Sequence, residues 1–433
     1  MPKNKLTFDL HLFFLEILHL VLYWIAVRMP VDKNFWIFGA WFGETYSGNS
    51  KYLFEYVVKN ECNIKAVWLT RSRKLTVELR RKGFNVYYFY SPIGIWYALR
   101  AGVAVFCVGY TSDLPSFCIY RSKKLIQLWH GIGPKKVGVL NKHPLPTTRE
   151  LFPSFKHKNI EVIILNLWKL LFKARFTNVD VLPYKMEQYD LYTSILSLSP
   201  ITKKKMIDVF NVQRDKSDKV VVTGFPRNDA LFRKVSNPNR ISRIIDNIHG
   251  KGEKVGFYLP THRQEGRKTM LKEISNGLRL NKNKLVSKKI HLLVKLHHFH
   301  NTERTKVKIE NVTFVTTDDI EGDIYPLLSM SDFLITDYSS VYIDYLLVDK
   351  PIIFFIYDIR EYMCNEREFY FSFKDITPGP KVLSWSSLLS EVHNQLEKDG
   401  YKIARRDTRK LFHTYNDASS SRRVVDQIYT LLK

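Results

Sequence analysis

The residues in this chain best suited to chemistry stand just after short apolar runs. Trp129-His130-Gly131-Ile132-Gly133-Pro134-Lys135-Lys136 follows KLIQL. That puts His130 at the carboxyl end of an expected strand, where open α/β sheets bind their ligands. An imidazole titrates near neutrality and suits removal of a proton from an attacking hydroxyl. Gly131 and Gly133 permit close approach of the backbone, and Lys135 and Lys136 bring positive charge within one turn. A second constellation, Asp332-Phe-Leu-Ile-Thr-Asp337-Tyr338-Ser339-Ser340, runs into VYIDYLLVDKPIIFF. It reads as strand, tight turn, helix and strand. Ser339 and Ser340 then fall at a helix N-terminus, which attracts phosphate through free N–H groups and the helix dipole. Asp344, four residues beyond Ser340, shares its helix face and suits ribose hydroxyls. Serine and aspartate are also the favoured N-cap residues, so this motif alone fits a plain helix start equally well.

Three further motifs follow the same rule. Lys295-Leu296-His297-His298-Phe299-His300 comes after IHLLV. Neighbours on an extended chain point to opposite sides and no carboxylate cluster accompanies the histidines, so no metal site is expected. A lysine and a histidine at a strand end instead suit the charge of a leaving phosphate. Gly224-Phe-Pro-Arg227-Asn-Asp229 follows KVVVT, and Leu259-Pro260-Thr261-His262-Arg263 follows KVGFY. Each sets an arginine fork on a turn, a geometry matched to phosphate oxygens.

The elements that must position these groups come in two series. NFWIFGA, IKAVWLT, NVYYFY, AVFCVGY and KLIQLWH are short β-rich runs, with SKYLFEYVVKN and KLTVELRRKG between them as expected helices. KVGFYLP, IHLLVKLH, VTFVTT, FLITDY and PIIFFIY form the second series. Alternating strand and helix predicts two parallel α/β domains of Rossmann type facing across a cleft. The polar, Gly/Pro-marked stretch near 230–252 predicts the join. The expected division is 1–29, 30–235 and 236–433, with SSRRVVDQIYTLLK as a closing helix.

Length and charge agree with this division. At 433 residues two domains are the natural expectation, and 45% hydrophobic with 25% charged residues is a globular composition. Lys and Arg outnumber Asp and Glu by 67 to 42, a net charge of +25, so the partners are anionic. Cys62, Cys107, Cys118 and Cys364 lack metal or CxxC spacing and read as thiols of a reducing compartment. Residues 6–27, LTFDLHLFFLEILHLVLYWIAV, predict a helix lying in a membrane interface or packed on the protein, with Asp9, Glu16 and His19 as a narrow polar stripe. IILNLWKLLFKARF (163–176), with Lys169, Lys173 and Arg175 interleaved, is a candidate second membrane contact or a core helix with a solvated face.

Taken in order, WHGIGPKKVG, GFPRND, PTHR, KLHH and TDYSSVYIDYLLVDKPIIFF resemble the CDP-glycerol glycerophosphotransferase family of teichoic acid synthesis. That family shows WHG-x-x-x-KK, G-x-PR-x-D, PTWR-like, K-x-HP and DYSS-x-x-x-D elements. His262 here replaces its tryptophan, His298 its proline, and Ile-Gly-Pro its usual Thr-Pro-Leu. The resemblance implies a GT-B-like fold without an essential metal or cofactor, peripheral on the cytoplasmic face of the membrane. It implies catalysis by His130 and His297. Donor contacts would come from Arg227, Thr261, Arg263, Lys295, Asp337, Ser339, Ser340 and Asp344, and acceptor or phosphate contacts from Gly131, Lys135 and Lys136. His130 would deprotonate an acceptor hydroxyl, which attacks the β-phosphorus of a CDP-polyol and releases CMP. Glycerol and ribitol fit alike, as do priming and polymerisation, wall polymer and capsule.

Two other classes make different demands. A CMP-sugar-dependent GT-B enzyme of the capsule sialyltransferase kind shares HP-like and SS-like elements, but the WHG and DYSS combination speaks against it. A nucleic-acid-binding protein would use the charge and aromatics, yet no RNP, helix-turn-helix or zinc-finger pattern is present.

Overall fold

The structure is a computed structural model. It describes residues 3–120, 123–141, 187–235, 238–261, 263, 267–296, 308–316, 318–320, 323–365 and 368–433. The segment 163–176, His262 and His297 to His300 lie outside the described residues, and with them the expected second membrane contact and one of the two expected catalytic histidines.

The apolar runs form two all-parallel sheets. The first has seven strands: β1 (Asp32–Phe38), β2 (Lys65–Thr70), β3 (Val86–Tyr88), β4 (Ala101–Phe106), β5 (Lys124–Gln127), β6 (Ser194–Ser197) and β7 (Val220–Val222). Their order is β3-β2-β1-β4-β5-β6-β7. The second has six: β8 (Lys254–Leu259), β9 (Ile290–Val294), β10 (Val312–Phe314), β11 (Phe333–Thr336), β12 (Ile352–Phe355) and β13 (Lys381–Val382), in the order β10-β9-β8-β11-β12-β13. Ile37 pairs with Val67, and Ile335 with Tyr258. The central strands are apolar on both faces because helices cover both, as parallel sheets require. Trp36, Phe38, Val103 and Val105 are buried in the first sheet, and Phe257, Leu334 and Ile353 in the second.

Two parallel-sheet domains are thus present, and the order of strands reverses beside β1 and β4 in one and beside β8 and β11 in the other. The carboxyl ends of the two sheets meet. Gly48 N donates to Asp323, Lys136 N donates to the Glu368 carbonyl, and Lys135 pairs with Phe369 as an antiparallel bridge. The first sheet's last strand ends at Val222 and the second sheet's first begins at Lys254, while the terminal helix Ser420–Leu432 returns to the first sheet. Ser420 N and Ser421 N donate to Asp229, and the Tyr429 ring lies 5.7 Å from Trp36.

The N-terminal helix, α1 (Lys3–Arg28), packs on the first domain through Leu20, Tyr23 and Ala26. His19, expected in a polar stripe, is turned inward. The imidazole stacks on Phe117 with centroids 4.1 Å apart. Among the described residues no helix is long and apolar enough to cross a membrane.

Candidate active site

His130 is held by loops from the carboxyl ends of four strands of the first sheet. Immediately before it, Trp129 adopts φ 59, a left-handed conformation strained for a bulky residue. Two buried amides stabilise that turn. Trp129 N donates to Gln127 Oε1 at 2.9 Å, and Asn49 Nδ2 donates to the Trp129 and Leu128 carbonyls at 2.8 and 3.3 Å. The loop after β1 is strained as well, with Trp41 at φ 47 and Phe42 at φ 63, and the Trp41 ring lies 5.4 Å from that of His130.

The imidazole is oriented by the loop after β4. His130 Nδ1 lies 3.3 Å from the Cys107 carbonyl oxygen, which can only accept. The Nδ1–H therefore points there, and the neutral ring carries its lone pair on Nε2. Asp113 fixes that carbonyl in turn. Its carboxylate accepts from Cys107 N, Val108 N and Phe42 N at 2.7–2.9 Å, tying the loops after β1 and β4 together. Burial raises the Asp113 carboxyl above its ordinary pKa despite these bonds.

The second sheet reaches the same loop through Ser340 and through Asp344, the latter by way of Arg227 on the turn after β7. Arg227 Nη2 lies 2.5 Å from Asp344 Oδ2, and Nη1 donates to the His130 carbonyl at 2.6 Å. Tyr325 hydroxyl donates to the same Asp344 oxygen at 2.6 Å, while its ring lies 4.7 Å beneath the guanidinium. Asn49 Oδ1 accepts from Arg227 N at 3.1 Å. Asn49 thus joins the His130 turn to the Arg227 turn, and its side chain is fully buried. A Cβ on Gly131 would stand 2.7 Å from Ser340 Oγ, and one on Gly133 3.2 Å from Ser340 Cβ. The close approach these glycines permit is to the Tyr338-Ser339-Ser340 turn. The helix that follows, Val341–Tyr345, is five residues long.

The lysine-bearing stretch is strapped across both domains. Lys205 Nζ, buried, donates to the Gly133 and Lys135 carbonyls at 2.5 and 2.8 Å, and burial with the nearby Lys135 charge brings its pKa down to about 7. Lys136 pairs with Glu368 at 2.6 Å, and Lys135 Nζ lies 4.9 Å over the Tyr362 ring.

The remaining expected residues form a second cluster at the carboxyl ends of β8, β9 and β11. Asp337 accepts from Thr261 N, Thr261 Oγ1 and Tyr338 N, and pairs with Arg263 Nη2 at 2.9 Å. Arg263 Nε lies 2.7 Å from Asp358 Oδ2, so two carboxylates already face the guanidinium. Lys295 follows β9, and burial lowers its pKa. Ser339 Oγ accepts weakly from Val341 N at 3.4 Å. The structure therefore brings His130, Gly131, Arg227, Ser340 and Asp344 together, and Thr261, Arg263 and Asp337 together. Asp344, expected to address a ribose, has its carboxylate engaged by Arg227 and Tyr325. Asn49, Asp113, Lys205 and Tyr325 were not singled out by sequence reasoning, since long-range contacts alone mark them. Among the described residues no group of three or more His, Cys, Asp or Glu side chains is placed to hold a metal ion.

Two parallel α/β domains meeting at their carboxyl ends, with a tautomer-fixed histidine beside clustered cations, define a GT-B-like transferase. The chain belongs to the CDP-Glycerol:Poly(glycerophosphate) glycerophosphotransferase family, whose model matches residues 21–430. It is 26% identical over 415 residues to a teichoic acid glycerol-phosphate transferase of Staphylococcus aureus, covering 93% of this chain and 94% of the relative. It is 27% identical over 333 residues to a teichoic acid ribitol-phosphate primase of Bacillus spizizenii, covering 73% of each. The wall teichoic acid polymerase TagF shares the fold, with a TM-score of 0.66 at 20% identity over 93% of this chain and 90% of that one.

Proposed function

We propose that this enzyme transfers a polyol phosphate, glycerol or ribitol phosphate, from its CDP-polyol to a hydroxyl of a lipid-linked or polymeric acceptor. The product is a teichoic acid or a capsule polymer with a phosphodiester backbone. The observation that carries the reading is His130, held on a strained loop with Nδ1 on the Cys107 carbonyl and facing the Ser340 turn of the second sheet. His130 Nε2 takes the proton of the acceptor hydroxyl as that oxygen attacks the β-phosphorus. The bond from the β-phosphorus to the bridging oxygen breaks, and CMP leaves with the electron pair.

Charge accumulates on the phosphoryl oxygens in this step, so fixed cations and donors lower its barrier. Lys135, Lys136, Lys295, His297 and the Ser339–Ser340 turn serve the donor and acceptor phosphates, with Thr261, Arg263 and Asp337 shaping the donor turn. Arg227 and Asp344 act as positioning residues, because each is buried and satisfied by the other. The work takes place peripherally on the cytoplasmic face of the membrane, where a lipid-linked acceptor resides.

The test is CMP release from CDP-glycerol, CDP-ribitol and CMP-sialic acid side by side, with membranes supplying acceptor. Release from one CDP-polyol fixes reaction and donor together. Release from CMP-sialic acid alone overturns the reading in favour of a sugar transferase.

A further inference from the structure

Three successive carbonyls downstream of His130 are held from opposite domains. From the first domain, Lys205 Nζ donates to the Gly133 and Lys135 carbonyls at 2.5 and 2.8 Å. From the second, Tyr370 N donates to the Pro134 carbonyl between them at 2.6 Å, with Phe371 N at 3.3 Å. Pro134 has no N–H, so that carbonyl is its one hydrogen-bonding group, and the second domain takes it. Glu368 adds to the grip. Its carbonyl accepts from Lys136 N at 2.8 Å and its carboxylate pairs with the Lys136 ammonium. Residues 368–371 thus run beside the lysine-bearing stretch as a short antiparallel strap, bridged at Lys135 and Phe369.

The strap is anchored on both of its sides. Tyr370 hydroxyl donates to Asp208 Oδ2 at 2.5 Å. Asp208 and Lys205 lie three apart on the helix Pro200–Val209 and share one face of it. The Tyr370 and Phe371 rings lie 5.3 and 5.2 Å from the Lys205 ammonium. Toward the second sheet, the Phe369 ring lies 6.1 Å from that of Tyr338, in the turn that leads to Ser339 and Ser340. One short stretch therefore touches the Tyr338 turn, the loop after His130 and the helix that supports this loop.

The choice of lysine at 205 shows that the arrangement does more than pack. The helix already fills its share of the core through Met206 and Val209, both fully buried. Lys205 is as deeply buried, and the charge of Lys135 opposes its own. Burying an ammonium is unfavourable, and the carbonyls it holds offset that cost. A methionine would fill similar space and leave the Gly133 and Lys135 carbonyls without this donor.

We propose that Lys205 and Tyr370 are positioning residues for transfer, which together set the backbone from Gly133 to Lys136 while the second domain is docked. This rests on the phosphate role given to Lys135 and Lys136 in the proposed function, and it names what places them. Neither residue touches the reacting atoms. Lys205 acts through two carbonyls of its own domain, and Tyr370 acts across the cleft through Pro134 and Asp208. A second domain that undocks takes Tyr370 N, Phe371 N and the Glu368 carbonyl with it. The loop then keeps the lysine and loses its other side, so the phosphate-binding geometry is tied to docking of the donor-bearing domain.

The experiment measures CMP release by the full chain, and hydrogen exchange of residues 130–136 by mass spectrometry. The variants are Lys205→Met, Tyr370→Phe, Asp208→Ala and the double Y370F/D208A, with Lys204→Met, at an exposed position of the same helix, as the control. Tyr370→Phe removes one oxygen and keeps both the ring and the N–H, so its thermal midpoint should stay close to that of the unaltered enzyme. We expect kcat to fall about tenfold in Tyr370→Phe and in Asp208→Ala, and further in Lys205→Met. KM for the CDP-polyol should hold within about twofold. The double variant should be no slower than either single, because both remove the same bond. Exchange at 130–136 should quicken in the same variants, and Lys204→Met should match the unaltered enzyme in both measurements. Quickened exchange with unchanged kcat means that the strap serves folding alone and overturns the proposal. A lowered kcat without quickened exchange, or a rise in KM at constant kcat, overturns it as well. Silence of the unaltered enzyme with every CDP-polyol overturns the proposed function itself, a failure seen before any variant is compared.

Discussion

Arg227 Nη2 lies 2.5 Å from Asp344 Oδ2, and this buried ion pair joins a turn of the first sheet to a short helix of the second. Breaking a buried pair by removing one partner leaves an uncompensated charge, at a cost of about 3–5 kcal/mol. Asp344→Asn should therefore lower the thermal midpoint sharply. The double variant R227M/D344L should recover much of that stability yet not CMP release, because the His130 carbonyl would still lack its arginine donor. Recovery of both would show that the pair only holds the domains together.

His130→Ala should cut CMP release by about 10²–10⁴-fold, the usual range for a general base, with donor binding and thermal midpoint nearly unchanged. Asn49→Ala acts one step back. It strips the Trp129 and Leu128 carbonyls of their donor at a cost of about 1–3 kcal/mol. Its kcat should fall while KM for the donor holds. A rise in KM alone would mean that Asn49 serves binding and not the orientation of His130.

The two glycines beside Ser340 should respond differently. Gly131 has φ 139 and would bring a Cβ to 2.7 Å from Ser340 Oγ and 2.9 Å from Arg227 Nη2, so Gly131→Ala meets both backbone strain and a clash. A loss of about 1–3 kcal/mol is expected from the backbone alone. Gly133→Ala meets only Ser340, at 3.2 Å, and should cost less. Ser340→Gly removes the Cβ but leaves the Ser340 Cα at 3.3 Å, so it should relieve Gly133→Ala only in part and leave Gly131→Ala impaired, as read by thermal midpoint.

Lys205 gives a pH signature. Burial, and then the charge of Lys135, brings its pKa from the ordinary 10.5 down to about 7 in the fold. Between those values the unfolded chain binds a proton that the native state does not. Native stability relative to Lys205→Met should therefore rise with pH from about 7 toward 10.5, by at most about 1.4 kcal/mol per unit. Below about pH 7 the difference should be flat. Urea unfolding of both proteins at pH 6, 7, 8 and 9 checks the slope, and a falling difference would reverse the assignment.

The strands were legible because parallel strands buried on both faces read as unbroken apolar runs. NFWIFGA, IKAVWLT and PIIFFIY became β1, β2 and β12. β6 (Ser194–Ser197) and β13 (Lys381–Val382) escaped notice, since SILS and KV carry too little apolar signal. At the site, His130 was legible from its place after KLIQL, but what orients it was not. Cys107 is 23 residues away and looks like a core cysteine. Asn49 looks like an ordinary residue at a helix start. The glycine pair announces a close approach of the backbone but not its neighbour, which is Ser340, more than two hundred positions along. Arg227 and Asp344 were each recognised as special from their own motifs. Their pairing is a property of the closed fold that neither motif contains.

The return of the helix Ser420–Leu432 to the first sheet has a consequence for synthesis. Val424, Val425 and Ile428 are buried there, and Asp229 waits to cap the helix. The ribosome must make the entire second sheet before the first can be sealed, so the lobe translated earlier finishes folding later. During that interval its uncovered face is open to chaperones and to aggregation. A nonsense mutation in the codons of this helix would then do its damage in the lobe translated before the second sheet.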